Sequence, residues 1–268
     1  MSFSQYEPDH ISASRLSTYG GGFGCPRKYM FRYVMNLQSR WTTSSLAIGI
    51  GIGNALRCPM MNGTTRTLAD MIRSWDEYMN ETWDDIDPEV EDRSAMVSKG
   101  KDMLRALSLA GVTTIQGLPE HRIEVDDMKC PETGETLPPL LAFLDFYDPV
   151  THRVTEFKTG ASLRQPSTHL LQLALYRFAA TRHTEDGTPV PPQMRLIQVN
   201  RAKTPRVRSE DVLIPENMQD WIIRSAASMV RAIRAGHFPA RPSFACSSCS
   251  YRRACQEKDY SGLIERER

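Results

Sequence analysis

The 268-residue sequence has no run approaching the roughly 20 apolar residues that a membrane-crossing helix requires, which excludes an integral helical membrane protein. Its opening MSFSQYEPDH lacks the basic-then-apolar pattern of a secretory leader, so a cytoplasmic location is expected. An excess of either charge is missing too: 33 Lys and Arg stand against 32 Asp and Glu. A net charge near +1 supplies no whole-molecule field to draw the chain onto nucleic acid, so any such site must be local. Internal repeats and long low-complexity tracts are absent, which leaves periodicity as the guide to architecture. Cysteine is scarce, with six in all. In a compartment that keeps thiols reduced these do not form a disulfide framework, and metal ligation is the better first reading.

Hydrophobic residues make up 40% of the chain, enough for a core that folds alone. Two local basic runs stand out: Arg27, Lys28, Arg32 and Arg40 near the start, and Arg195, Arg201, Lys203, Arg206 and Arg208 later, the second with no acidic residue between its ends. Each could equally be a solvated face. Residues 12–38 open with ISASRLSTY, pass a GGGFG turn and enter a helix-like KYMFRYVMNL. Segments 66–83 and 91–110 carry apolar residues at helical spacing (Leu68, Met71, Ile72, Trp75; Met103, Leu104, Leu107), which predicts a helical insert. From residue 119 short apolar or alternating runs take over, at HRIEV, LLAFLDFY, RVTEFK and MRLIQV. The first three read as a meander, joined by CPETGETLPP and by a tight turn at DPVTH. A helix over 167–182 separates them from the fourth, and a last helix over roughly 215–236 leads to the cysteine-bearing tail. Strand, strand, helix, strand is an α/β core.

Asp145 lies inside an apolar strand, and Glu156 and Lys158 lie two apart on the next, hence on one face. A hairpin about DPVTH brings Asp145 beside Glu156, gathering two carboxylates and an amine. Hard cations such as Mg²⁺ take oxygen ligands, and this set supplies them while leaving positions open for water and phosphate. The bland alternative is a structural Asp–Lys ion pair at a sheet edge. Gln172 and Tyr176, four apart on a helix, share a face and can both hydrogen-bond. Near the C-terminus CSSCSYRRAC places Cys246, Cys249 and Cys255 at Cys-x2-Cys-x5-Cys spacing, and Cys25 in GCPRKYMFRYV offers a fourth thiolate. Four thiolates suit Zn²⁺ or an iron–sulfur cluster, and spacing alone does not separate the two. Cys58 and Cys130 have no such spacing and read as ordinary residues.

The order SASRLSTY, CPRKYMFRYV, a Gly-rich segment, LDFYD, EFKTG, QLALY and the terminal cysteines resembles the RecB-like branch of the PD-(D/E)XK nucleases over about residues 12–255. Within that branch it resembles the iron–sulfur members, which include CRISPR-adaptation nucleases and phage recombination exonucleases. The resemblance implies an α/β fold with a restriction-endonuclease-like core sheet flanked by helices, a helical insert and a C-terminal iron–sulfur tail. It implies one domain over 1–268: an N-terminal helical part with the first Cys (12–60), the insert (61–115), the nuclease core (116–214), and the last helix with the tail (215–268). It implies Mg²⁺ or Mn²⁺ held by Asp145, Glu156 and the carbonyl of Phe157, with Lys158 acting on the attacking water or the phosphate charge. Gln172 and Tyr176 match its Gln-x3-Tyr motif, and Cys25, Cys246, Cys249 and Cys255 would hold a 4Fe–4S cluster. DNA is the implied substrate, contacted by Arg201, Lys203 and Arg206, with a recombination or CRISPR-adaptation protein as partner and no membrane. The family's metal-binding histidine is missing: IGIGIGNALR sets Gly53 or Asn54 in its place, and Glu120, ahead of Glu124, is the expected substitute. Two rival readings follow, a non-catalytic DNA-binding scaffold on the same fold and a zinc-stabilised protein-interaction module.

Overall fold

The computed structural model of the protein describes residues 6–22, 24–58, 66–87, 92–184 and 188–265; residues 61–65 and 88–91 of the expected helical insert lie outside them. The Ser-rich stretch ISASRLSTY forms helix α1 (Ala13–Gly20), with the Ser12 hydroxyl accepting the Arg15 N–H and Leu16 and Tyr19 buried. Pro26 opens α2 (Pro26–Tyr29), which runs on as a π-turn over Met30–Val34. The expected helix KYMFRYVMNL therefore stops early. Asn36 takes a left-handed backbone (φ 54°), a conformation its short polar side chain tolerates, and Leu37–Ser39 becomes strand β1.

Helices α3 (Ser44–Arg57), α4 (Leu68–Thr82) and α5 (Arg93–Leu109) are capped by Thr43, Thr67 and Asp92. They close on the buried Trp75, whose indole N–H reaches the Val97 carbonyl at 3.1 Å. Strands β2 (Leu118–Val125), β3 (Leu140–Asp148) and β4 (Arg153–Gly160) form the expected antiparallel meander. Helix α6 (Leu170–Thr181) crosses over, and β5 (Gln193–Asn200) returns parallel to β4. A fifth strand, β6 (Val207–Asp211), pairs antiparallel with β5 and was not expected, because RVRSED carries no apolar alternation. Helix α7 (Met218–Arg234) follows, with Gly236 (φ 69°) turning the chain after it. The tail holds α8 (Arg252–Gln256) and β7 (Leu263–Glu265), and β7 pairs with β1 to join the two ends of the chain. Among the described residues no helix is long and apolar enough to cross a membrane.

The five-stranded sheet, in order β2-β3-β4-β5-β6, carries an apolar layer on each face. One layer gathers Leu140, Ala142 and Leu144 of β3 with α1, α6 and α7, and the other gathers Phe146, Ile197 and Val199 with α3, α4 and α5. The alternation along β3 thus slips between Leu144 and Phe146, at Asp145. Opposite it in register, Glu120 of β2 takes a left-handed φ of 47°, a costly conformation for a residue with a Cβ. Pairing of β3 with β4 covers only Phe146–Thr155, Tyr147–Val154 and Asp148–Arg153, after which the strands part at Asp145 and Glu156.

Candidate active site

Where β3 and β4 part, a side chain takes over from the ladder: Asp145 Oδ2 accepts the Phe157 backbone N–H at 2.8 Å. That bond satisfies a donor left without its strand partner and fixes the Asp145 carboxylate beside the next turn of β4. Asp145 Oδ1 faces Arg57 Nη1 at 3.8 Å. Glu156 points to the α6 face and is 2% exposed. Its Oε1 accepts from Lys158 Nζ and, at 2.8 Å, from Gln172 Nε2, while its Oε2 is buried with no hydrogen-bond partner among the described residues. Gln172 Nε2 also lies 2.8 Å from Tyr176 Oη, so the Gln-x3-Tyr pair does share a face, and that face is the site. The structure brings Asp145, Glu156, Lys158, Gln172 and Tyr176 into one continuous network.

Burial raises the Glu156 carboxyl to about 8, and the nearby Asp145 charge adds to the effect. For Lys158 burial works against the ammonium, but the adjacent Glu156 outweighs it and pushes the amine up. Tyr176 is driven above its ordinary value by burial and then by Glu156, so its hydroxyl stays protonated. A carboxylate that has lost water and retains one unsatisfied oxygen calls for a cation or a proton.

Glu120 enters this network through Arg57, whose Nε lies 3.2 Å from Glu120 Oε1. Arg57 is anchored to Asn54 Oδ1 at 2.8 Å, and its guanidinium occupies the space a Cβ on Gly53 would approach. An arginine thus stands near where the resemblance places a histidine. Sequence reading missed it because Arg57 lies three or four residues past the matched Asn54 or Gly53.

A chamber of about 300 Å³ opens beside Lys158, with Arg164, His169 and Arg201 in its wall. The buried Gln198 holds this wall in place, exchanging hydrogen bonds with the Arg164 backbone in both directions at 2.8 Å. Burial, then Lys158, Arg164 and Arg208, lowers the His169 imidazole to about 4, leaving it neutral. Arg164 and His169 were missed in the sequence because they sit in a loop without periodicity. The long basic run is divided by β6: Arg195 pairs with Asp211 at 2.8 Å and Arg208 with Glu210 at 2.7 Å. Arg201 instead donates to Ser45 Oγ at 2.5 Å, and Lys203 and Arg206 lie exposed on the β5–β6 hairpin.

Cys25, at the N-cap of α2, meets Cys246, Cys249 and Cys255 around a second cavity of about 370 Å³. Backbone N–H groups of Arg241 and Ser243 point at Cys25 Sγ (3.4 Å) and Cys246 Sγ (3.5 Å). Burial raises the Cys255 thiol, and the Cys25, Cys249 and Cys246 sulfurs raise it further. Among the described residues no three His, Cys, Asp or Glu side chains are gathered as a single metal ion requires. Tyr251, stacked on Phe31 and donating to the Leu37 carbonyl at 2.8 Å, docks this tail on β1. Cys58 and Cys130 lie away from the cavity.

No curated relative matches the sequence. A crystal structure from Eubacterium rectale, of a protein provisionally named an exonuclease, superposes with a TM-score of 0.62 at 12% identity, covering 92% of this chain and 88% of that one. A second solved structure, SSO0001, aligns at 13% identity over 82% of this chain and 87% of its own, with a TM-score of 0.36, too distant to bear on the fold. The family model of the PD-(D/E)XK nuclease superfamily matches residues 10–256, a span that includes the Asp145, Glu156 and Lys158 network and all four converging cysteines, and the chain belongs to that superfamily.

Proposed function

We propose that the protein is a metal-dependent DNA nuclease of the RecB-like branch, acting on DNA ends or single strands in recombination, repair or CRISPR adaptation. The observation that carries this reading is Glu156, a buried carboxylate with one unsatisfied oxygen, next to Asp145 and bonded to Lys158. Asp145, Glu156 and the Phe157 carbonyl, with Glu120 through a shift of Arg57, fit the oxygen preference of Mg²⁺ or Mn²⁺, which supplies Lewis acidity at the phosphate and a more acidic water.

The side chains do the rest. Gln172, braced by Tyr176, fixes the orientation of Glu156, so the ligand set is positioned before substrate arrives. Lys158 places its ammonium where the attacking water or the charge developing on the phosphoryl oxygens can use it. The chamber walled by Arg164, His169 and Arg201 would take the adjacent phosphate, and Lys203 and Arg206 would extend that contact along the strand. Binding of this kind is salt-dependent and indifferent to sequence.

The four cysteines are proposed to hold a 4Fe–4S cluster. A set of four thiolates around one cavity, with backbone N–H groups aimed at two of the sulfurs, supports it. The resemblance to the iron–sulfur members of the branch favours the cluster over zinc. Arg57 beside Asp145 supports the second reading, a scaffold that binds DNA without cutting it. Anaerobically purified protein incubated with end-labelled linear single- and double-stranded DNA, in Mg²⁺, Mn²⁺ or EDTA, separates the two. Cleavage that EDTA abolishes is expected; DNA binding with no metal-dependent product would leave the scaffold.

A further inference from the structure

We propose that the cavity beneath the N-terminal segment is a nucleotide-binding site that recognises a phosphate group. It encloses about 860 Å³, within the range of small-molecule sites, and none of Asp145, Glu156 or Lys158 lines it. The inference does not rest on the nuclease reading.

Arg15 lies at its floor and is 9% exposed, an unusual burial for a guanidinium. Nη1 reaches Tyr29 Oη at 3.5 Å and Nη2 reaches Asp9 at 3.5 Å, both long contacts, while Nε has no partner among the described residues. The buried Tyr33 hydroxyl is also without one. Two buried donors on residues that line one cavity, both without acceptors among the described residues, are a costly arrangement that a small side-chain shift towards an incoming anion would relieve. Arg32, exposed at the mouth, lies 5.2 Å above the Tyr33 ring, and Arg15 lies 4.9 Å from the same ring. The ring thus holds two guanidinium groups in line.

Charge is ordered along the depth of the cavity. The Asp9 side chain is 89% exposed and that of Arg15 is 11% exposed, so the cation sits inside and the carboxylate outside. Arginine suits phosphate because its planar fork donates two parallel hydrogen bonds to neighbouring oxygens. An inorganic phosphate would leave most of the volume unfilled, whereas a nucleoside occupies it and can stack on the Tyr6 ring. The phosphate could belong to a free nucleoside monophosphate or to the end of a DNA strand.

Calorimetry on the full-length protein in EDTA distinguishes these sources, with deoxyadenosine monophosphate, deoxyadenosine, and an oligothymidylate carrying either a 5′-phosphate or a 5′-hydroxyl as probes. Binding of a phosphorylated probe at least about tenfold tighter than of its unphosphorylated counterpart is expected. Tyr33→Phe, which removes only the hydroxyl, and Arg32→Ala, on the surface, should each weaken it about five- to tenfold without disturbing the fold. Lys158→Ala should leave it unchanged. A gain in affinity from the phosphate of the mononucleotide identifies the free ligand, and a gain confined to the oligonucleotide pair identifies the strand end. No gain from the phosphate in either pair overturns the proposal. So does binding that Lys158→Ala abolishes while Tyr33→Phe and Arg32→Ala leave it intact.

Discussion

Glu156 is 2% exposed, so its carboxylate has lost its water, and its acidity depends on what the neighbouring side chains supply. Lys158 and Gln172 serve one oxygen only, and Asp145 adds a second negative charge nearby. Two close carboxylates that cannot both be comfortable as anions are well matched to a divalent cation. Asp145→Ala should therefore weaken Mn²⁺ binding by at least about tenfold in calorimetry. Arg57 acts in the opposite sense, since its guanidinium lies 3.8 Å from Asp145 and 3.2 Å from Glu120 and repels any cation held there. Arg57→Gln should tighten Mn²⁺ binding a few-fold. An unchanged or weaker dissociation constant would show that Arg57 supports the ligand set instead of competing with it.

At the scale of elements, the sequence made the meander legible because β2, β3 and β4 have apolar runs and turn residues of their own. Period two puts Glu156 and Lys158 on one face and helical spacing does the same for Gln172 and Tyr176, but only the family resemblance, not either period, joins the two pairs at one site. Strand β6 was not, because Val207–Asp211 is polar and owes its pairing to β5 rather than to its own pattern. Helix α1 was missed for a related reason: a serine cap and two buried residues decide it, not a long apolar stripe. Helices α3 and α5 place Gly51 and Gly100 against Trp75, and a Cβ at Gly100 would overlap the indole. Gly100→Ala should lower stability by about 1–3 kcal/mol in chemical denaturation, as overpacking of a tight core does. At the start of α6, His169 gives a pH signature. Its folded value of about 4 lies below the ordinary 6.5, so its contribution to stability is full above pH 6.5 and is lost as pH falls towards 4. The melting temperature of the wild type should fall relative to His169→Gln across that window, and parallel curves would show that His169 is solvated.

For the whole molecule, the pairing of β1 with β7 and the convergence of Cys25 on the C-terminal cysteines join the two chain ends. A cluster bound there would contribute folding energy as well as colour. On the proposed cluster the purified protein should be brown, and Cys25→Ala or Cys246→Ala should remove that colour, with loss of absorbance near about 400 nm and a lower melting temperature, while Cys58→Ala should do neither. Charge at this scale is balanced, so the proposed association with DNA would rest on local groups, those of the β5–β6 hairpin and its chamber. Arg201→Ala with Lys203→Ala should weaken binding for every sequence tested and flatten its salt dependence by roughly one unit of slope per lost contact. These effects leave open whether the bound strand is cut, and Lys158 tests that, because the proposed mechanism uses an amine beside Glu156 for hydrolysis and not for binding. The most direct measurement compares wild-type and Lys158→Ala protein, matched for fold and melting temperature, on end-labelled DNA in Mg²⁺ and Mn²⁺. The account predicts metal-dependent cleavage by the wild type, stronger in Mn²⁺, and none by the variant, with DNA binding by both; equal product from the two proteins, or none from either, would contradict it.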